Sequence, residues 1–282
     1  MSTNKDLDEK HIAKKGDKPV ISNNWQSLQR FTDARIALGR VANSLPTNAH
    51  LAFQLDHARA RDAVHVPLDS VALQAQLLEQ GLTVLPLHSQ AVNRQMYLQR
   101  PDLGRQLAPE SASQLKRWRA QHGCNKVSIV IADGLSANAV QNQAASLLAL
   151  LSSGLSTLGL SYGPCAIVQQ GRVAVADEVA ELLGSRLLVM FIGERPGLSS
   201  PQSLGIYFTR APRVGMSDES RNCISNIHAR GLSCQHAIER LIWLIQMSEK
   251  LKISGVHLKD KSGEAQPLLN VTPEQKPRFQ LT

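Results

Sequence analysis

Three short segments combine glycine with charged or polar side chains, and each follows a buried-looking apolar run. Glycine lets a ligand approach the backbone closely, and Glu194 and Arg195 place opposite charges at the rim of such a site. Alone, each segment also fits a surface turn, and Asp133 fits a helix cap. The segments are Ala132-Asp133-Gly134-Leu135-Ser136, Gln170-Gly171-Arg172-Val173 and Gly193-Glu194-Arg195-Pro196-Gly197.

Several enzyme classes are disfavoured because their short motifs are missing from the sequence. No G-x-G-x-x-G follows the first apolar run, which argues against a nicotinamide dehydrogenase, and no Walker A sequence is present. The nine histidines are scattered, and none is placed to suggest a Ser-His-Asp triad. Beyond Asp133 and Glu194, no acid–base residues converge on the three segments, so a transferase acting alone has little support.

Alternating strand and helix patterns must position these segments. Apolar, β-branched runs at 127–131, 165–168 and 187–192 predict strands, and the residues between them have helical spacing. Ser136 is placed to cap one helix and Gly184 to end another. This order predicts an α/β fold with an open, doubly wound, mostly parallel, Rossmann-like sheet. Ligands bind such sheets at the carboxyl ends of the strands, where the three segments are expected to meet.

The rest of the chain suggests a domain organisation around this sheet. A segment opening at Pro46 and the polar residues 110–121 read as helices, residues 82–87 read as an edge strand because of their proline, and another helix starts near Ser233. The predicted regions are a flexible N-terminal extension (1–27), a mainly helical N-terminal region (28–122), an α/β ligand-binding domain (123–255) and a polar C-terminal tail (256–282).

The composition of the chain limits the kinds of partner that it can bind. The formal net charge is +8, but Lys and Arg are spread along the chain and only 4% of residues are aromatic. This argues against nucleic-acid binding and favours an anionic ligand or an acidic subunit. No stretch is long and apolar enough for a membrane span, and no secretory signal is visible. The four cysteines lack metal-ligand spacing and are expected to be buried, reduced thiols.

At five motifs the sequence resembles the small (light) subunit family of ethanolamine ammonia-lyase. Each motif alone is weakly specific, but the set in this order is highly specific, and the match runs from about Ala34 to about Gly255. The motifs are Tyr97-Leu98-Gln99-Arg100-Pro101-Asp102-Leu103-Gly104-Arg105, Asp133-Gly134-Leu135-Ser136, Gly171-Arg172-Val173, Gly193-Glu194-Arg195-Pro196-Gly197-Leu198 and Arg221-Asn222-Cys223-Ile224-Ser225-Asn226-Ile227.

The resemblance implies an adenosylcobalamin-dependent carbon–nitrogen lyase that converts ethanolamine to acetaldehyde and ammonia. It implies a hetero-oligomer in which a large subunit carries the barrel, the substrate site and the catalytic residues. Only three βα units are clear here, whereas a closed barrel needs eight. The resemblance further implies a cytoplasmic protein. The extension 1–27 is either a disordered leader or an address to a bacterial microcompartment.

The resemblance also assigns a cofactor contact to individual residues. The family's corrin-contacting valine, glutamate and cysteine fall on Val173, Glu194 and Cys223. Arg172, Gly193 and Arg195 adjoin them and are secondary candidates. Cys223 is expected to be a small contact rather than a nucleophile, because no base is evident beside it. No metal ligand is expected from the chain, since the corrin holds the cobalt.

One pattern competes with this assignment. Asn226-x-His228-x-x-Gly231 is close to the D-x-H-x-x-G pattern of cobalamin proteins whose histidine binds cobalt. Here Asn replaces the Asp that orients the imidazole, so His228 is interpreted as a surface residue.

The second hypothesis for the function is a stand-alone α/β binding protein that uses its positive charge on an acidic partner. It predicts a stable monomer whose binding depends strongly on salt.

Overall fold

A six-stranded mixed sheet lies in the larger of two units into which the chain divides, Met1–Arg59 and Ala60–Thr282. The computed structural model describes residues 20–263. The strand order is β1-β3-β2-β4-β5-β6: the first four strands are parallel, and β5 and β6 pair antiparallel. The predicted open, mostly parallel α/β fold is confirmed. The strands are β1 (Val84–His88), β2 (Val127–Ala132), β3 (Tyr162–Gln169), β4 (Leu187–Gly193), β5 (Leu204–Arg210) and β6 (Arg221–Ile227).

Helices cover both faces of this sheet. Side chains alternate along the central strand β2, so Ile129 packs into one core cluster and Val130 into the other. Helices α2, α5 and α7 contribute to the first cluster, and α4 and α6 to the second. The sheet is therefore doubly wound. In the larger unit the helices are α2 (Ser70–Glu79), α3 (Arg94–Gln99), α4 (Pro109–His122), α5 (Ala137–Thr157), α6 (Val175–Leu183) and α7 (Cys234–Leu251).

The predicted ends of these elements are confirmed. Ser136 and Ser233 accept backbone N–H bonds as the N-caps of α5 and α7. Gly184 ends α6 in the left-handed conformation, and Gly123 follows α4 with a φ of +77°. The predicted strand at 82–87 is β1, and its proline is accommodated because β1 is an edge strand.

Two strands were not expected from the sequence. β6 has no continuous apolar run, and only Arg221, Ile224 and Ile227 among its residues are buried. β5 and β6 form consecutive antiparallel pairs, so they do not follow the strand–helix alternation that indicates parallel units. These strands place Tyr207 and Cys223 opposite each other.

The smaller unit is described over residues 20–59. A 3-10 helix spans Asn24–Phe31, and helix α1 (Thr47–His65), which the pattern after Pro46 predicted, begins in this unit and continues past its boundary. Arg35 and Asp56 form an ion pair of 2.6 Å. None of the helices within residues 20–263 is both long and apolar enough to cross a bilayer.

The start of the predicted tail is packed. A short 3-10 helix spans Gly255–His257, and Leu258 is buried. The side-chain amide of Asn222 donates to the carbonyl oxygens of Gly255 and Leu258, at 3.1 and 2.7 Å. Residues 1–19 and 264–282 lie outside the described part of the chain. The proposed boundaries at 27, 122 and 255 stay predictions.

Candidate functional site at the carboxyl edge of the sheet

A cavity of about 430 Å³ opens where β2, β3 and β4 end. All three segments singled out in the sequence contribute to its wall, as expected for the carboxyl edge of a parallel sheet. The lining residues are Tyr97, Gly134, Leu135, Arg172, Val173, Ile192, Gly193, Glu194, Arg195 and Tyr207.

Two glycines let the loops after β2 and β4 approach each other. A Cβ on Gly134 would lie 2.2 Å from the carbonyl oxygen of Gly193, and one on Gly193 would lie 2.1 Å from that of Ser136. Gly134 also has a φ of +56°, which favours glycine. The Leu135 N–H donates to the Gly193 carbonyl at 2.9 Å. The glycines thus bring the walls of the cavity together.

Asp133 is directed inward and is not the helix cap, a role that Ser136 fills. Its carboxylate, 1% exposed as a residue, accepts the N–H groups of Gln170 and Gly171 at 3.0 and 3.1 Å. Arg94 Nη1 lies 3.6 Å away. Burial raises the pKa of Asp133, and the charge of Arg94 and the backbone N–H groups oppose that shift. Asp133 therefore ties the end of β2 to the loop after β3.

Two arginines lie over the ring of Tyr97. The guanidinium carbons of Arg94 and Arg172 lie 4.7 and 4.3 Å from the ring centroid, within cation–π range. Arg172 Nη2 donates to the Tyr97 carbonyl at 3.0 Å, and the Arg172 N–H donates to the Gly104 carbonyl at 2.7 Å. Burial raises the pKa of Tyr97 to about 12, so its hydroxyl is neutral. The Tyr97–Arg105 motif thus supports the loop that carries Arg172.

One carboxylate oxygen anchors Glu194 in the cavity wall. Oε2 accepts the Ser203 hydroxyl at 2.6 Å and the Asn226 N–H at 3.2 Å. Within the described residues, Oε1 accepts no hydrogen bond, and it lies 2.9 Å from where a Cβ on Gly205 would sit. Glu194 is therefore a fixed acceptor with one oxygen available to a ligand.

Cys223 does not line the cavity but contacts a residue that does. It lies opposite Tyr207 in the β5–β6 pair. Desolvation raises the pKa of the Cys223 thiol and of the Tyr207 hydroxyl, so both are neutral at pH 7. A neutral thiol is a weak nucleophile, which agrees with the expected role of a contact.

The structure brings five of the six predicted site residues together in one cavity wall, and the sixth lies behind a lining residue. Five of them, Arg172, Val173, Gly193, Glu194 and Arg195, share the cavity wall, and Cys223 is reached through Tyr207. Sequence reasoning did not single out Tyr97 or Tyr207 as lining residues. Tyr97 begins one of the five motifs, which was a usable signal, whereas Tyr207 lies in a strand that was not predicted.

His228 takes part in a closed local turn. Its Nδ1 accepts the Arg230 N–H at 3.3 Å, which leaves Nε2 as the donor to Asn226 Oδ1 at 2.7 Å. The Gly231 N–H donates to the His228 carbonyl at 2.9 Å, and a Cβ on Gly231 would lie 2.6 Å from His228 Nε2. The Asn-x-His-x-x-Gly pattern therefore has a structural explanation in which both ring nitrogens are engaged.

The cysteines depart partly from expectation. Cys165 is buried, but Cys124 and Cys223 are exposed and Cys234 is half-buried, so the prediction of four buried thiols is wrong. Cys124 lies between a helix and a strand, and Cys223 lies at an exposed position of β6, which explains their exposure. Within residues 20–263, no group of three or more His, Cys, Asp or Glu side chains is arranged to hold a metal ion.

Comparison with known proteins agrees with the motifs at this edge. The family model described as ethanolamine ammonia-lyase light chain (EutC) matches residues 22–259. An ethanolamine ammonia-lyase small subunit from Azotobacter vinelandii is 56% identical over 245 residues, which cover 86% of this chain and 91% of the relative. Small subunits from Ralstonia nicotianae and Pseudomonas syringae pv. tomato are 56% and 53% identical, over 86% and 87% of this chain and 90% and 86% of the relatives. The chain therefore belongs to the ethanolamine ammonia-lyase small (light) subunit family.

Proposed function

We propose that this chain holds adenosylcobalamin at an interface with the large catalytic subunit of an ethanolamine ammonia-lyase. The observation that carries the proposal is the single cavity wall shared by Arg172, Val173, Gly193, Glu194 and Arg195. These positions, which lie at the ends of β3 and β4, include two of the three corrin contacts that the family resemblance implies, and the third, Cys223, adjoins Tyr207.

The residues at this edge fit a corrin, which is a wide, flat ring fringed with amides. Amide N–H groups need acceptors, and Glu194 Oε1 is one. Amide carbonyls need donors, and Arg172 Nε is a buried donor with no partner within the described residues. A buried donor such as Arg172 Nε is costly to leave unpaired, so a hydrogen bond from it to a ligand stabilises the complex. Val173 adds apolar contact beside the polar groups.

When bound, adenosylcobalamin supplies radical chemistry by cleavage of its cobalt–carbon bond. This chain's residues bind and orient the ring and exclude water from it. The conversion of ethanolamine to acetaldehyde and ammonia takes place on the large subunit, and we assign no catalytic residue to this chain. An open sheet with four parallel strands is not the closed eight-stranded barrel that would enclose a substrate radical.

The partner is proposed on the same basis. A subunit that covers only part of the cofactor needs a second chain to complete the site, and the relatives are named small subunits. We propose a hetero-oligomer in the cytoplasm that needs neither nucleic acid nor membrane. We further propose residues 1–27 as a candidate address for a bacterial microcompartment, to be tested by deleting them and following the location of the complex.

The test is acetaldehyde release from ethanolamine. The assay contains adenosylcobalamin and the large subunit, with and without this chain. Turnover only in the presence of the chain is the expected result. Association without turnover would indicate a changed substrate. Absence of association would favour the stand-alone binding protein, and salt titration of its partners would then be the next measurement.

A further inference from the structure

The cavity loop contains a strained residue that is not glycine. Gln170 has a φ of +55°, in the left-handed region that side chains other than those of Gly, Asn and Asp rarely adopt. Residues in such conformations persist only where their surroundings over-determine them, and they cluster at functional sites. Gln170 comes directly after β3 and directly before Gly171, Arg172 and Val173.

Three groups hold Gln170 in this conformation. Its N–H donates to Asp133 Oδ2 at 3.0 Å, and its carbonyl accepts the Ser89 hydroxyl at 2.7 Å. Its side-chain Oε1 accepts Arg94 Nη1 at 3.4 Å. Asp133 Oδ1 also accepts the N–H of Gly171, so one buried carboxylate fixes two successive peptide units. Asp133 and Ser89 thus hold the backbone of Gln170, and Arg94 holds its side chain.

Arg94 connects this loop to the opposite wall of the cavity. Nη1 donates to the Gly134 carbonyl at 2.8 Å, and Nε donates to the Val64 carbonyl at 2.6 Å. The Arg94 guanidinium also lies over the ring of Tyr97, as does that of Arg172. Movement of Arg94 would therefore break its contacts with Gln170, with the loop after β2 and with the Tyr97 ring, which Arg172 also contacts.

We infer that Asp133 and Arg94 are a buried positioning pair that holds Gln170 in its left-handed conformation and so sets Arg172 and Val173 in the geometry that binds the corrin. The inference rests on the proposed function. Neither residue of the pair is among the residues that line the cavity. They act through the loop after β3 rather than by touching the cofactor.

The test compares Asp133→Asn with the wild type in the complex with the large subunit. Asparagine offers one acceptor oxygen to two N–H donors and no charge to Arg94. The dissociation constant of adenosylcobalamin, measured by equilibrium dialysis, is expected to rise tenfold or more. Glu249→Gln is the matched control, because Glu249 pairs with Arg210 at 2.7 Å away from the cavity lining, and its affinity should stay at the wild-type value.

A rescue experiment separates positioning from general destabilisation. Asparagine adopts left-handed φ more readily than glutamine, so adding Gln170→Asn to Asp133→Asn should recover at least threefold of the lost affinity. Hydrogen exchange, followed by mass spectrometry, should quicken in the 165–175 segment of Asp133→Asn and stay unchanged in β4. If Asp133→Asn does not fold, it is replaced by Arg94→Lys, with the same expectations. This variant keeps the charge but loses the pair of hydrogen bonds to the carbonyls of Val64 and Gly134.

The outcomes distinguish this inference from the proposed function. If the wild-type complex does not bind adenosylcobalamin, the proposed function fails. If the wild type binds and Asp133→Asn binds equally well, or if affinity falls to the same extent in Glu249→Gln, the positioning pair alone is rejected. Loss of affinity without faster exchange at 165–175 would also overturn it, because the loop would then be held by other contacts.

Discussion

At the scale of single residues, Glu194 illustrates how a carboxylate can be held rigidly and yet offer a free acceptor. Ser203 and Asn226 both donate to Oε2, so the rotamer is fixed while Oε1 accepts nothing from the described residues. Preorganised acceptors of this kind bind amide donors without the cost of ordering a mobile side chain. The two oxygens therefore have different roles, and a substitution can separate them.

Glu194→Gln is expected to weaken adenosylcobalamin binding about tenfold, or about 1.4 kcal/mol. The glutamine oxygen can still accept the Ser203 hydroxyl, but the amide nitrogen then presents donors where Oε1 was an acceptor. Ser203→Ala, which removes the anchor and keeps the acceptor, should have a smaller effect. Equilibrium dialysis of the assembled complex measures both. Wild-type affinity in Glu194→Gln would remove Glu194 from the cofactor site.

Cys223→Ser is expected to keep most of the turnover of the complex. The raised pKa of the thiol keeps it protonated at pH 7, and a serine hydroxyl is a small group that fits the same position opposite Tyr207. Steady-state acetaldehyde release is the measurement, with cofactor affinity followed in parallel. Complete loss of turnover despite normal assembly and cofactor binding would show that the sulfur takes part in the reaction.

At the scale of elements, the cavity depends on how closely the ends of β2 and β4 approach. Gly134 and Gly159 both have positive φ, +56° and +62°, but only Gly134 has backbone atoms where a Cβ would sit. Alanine in the left-handed conformation costs about 1–2 kcal/mol at either position. Only at Gly134 is there a further overpacking cost of about 1–3 kcal/mol.

We therefore expect Gly134→Ala to lower the free energy of unfolding by about 1–3 kcal/mol more than Gly159→Ala does. Urea unfolding followed by circular dichroism measures both variants against the wild type. Gly134→Ala should also weaken cofactor binding, since the β2 and β4 loops would have to separate, while Gly159→Ala should not. Equal losses of stability in the two variants would mean that the loops can part without cost.

The same elements show what could be predicted from the sequence. β2, β3 and β4 are continuous apolar runs with Ser136 and Gly184 at the adjoining helix ends, so their edge and its glycine segments could be located. The pairing of Tyr207 with Cys223 could not. It depends on the antiparallel register of β5 and β6, and only three side chains of β6 are buried, so that strand has no strong apolar pattern. Likewise, nothing local indicates that Asp133 reaches the loop after β3.

At the scale of the whole molecule, the smaller unit carries an exposed apolar stripe, which we expect to be a contact surface for a partner. Trp25, Leu28 and Phe31 are spaced by three residues on the 3-10 helix Asn24–Phe31, so they share one face. Trp25 is 68% and Phe31 72% exposed. Aromatic side chains left in water as a contiguous stripe are typical of protein–protein contact surfaces. The large subunit is the occupant that membership of a small-subunit family favours.

Replacing Trp25 and Phe31 together by serine is thus expected to weaken association with the large subunit by a factor of at least ten. Each aromatic hot spot typically contributes about 2 kcal/mol or more to a protein interface, and the exposed side chains contribute little to folding. Val214→Ser is the control, because Val214 is 66% exposed in the β5–β6 connection and lies outside the stripe. Analytical ultracentrifugation of the mixed subunits measures association. Removal of two buried aromatic rings from an interface has a measurable cost in affinity. Unchanged assembly in the double variant, or an equal loss in Val214→Ser, would therefore show that the stripe is not the docking surface.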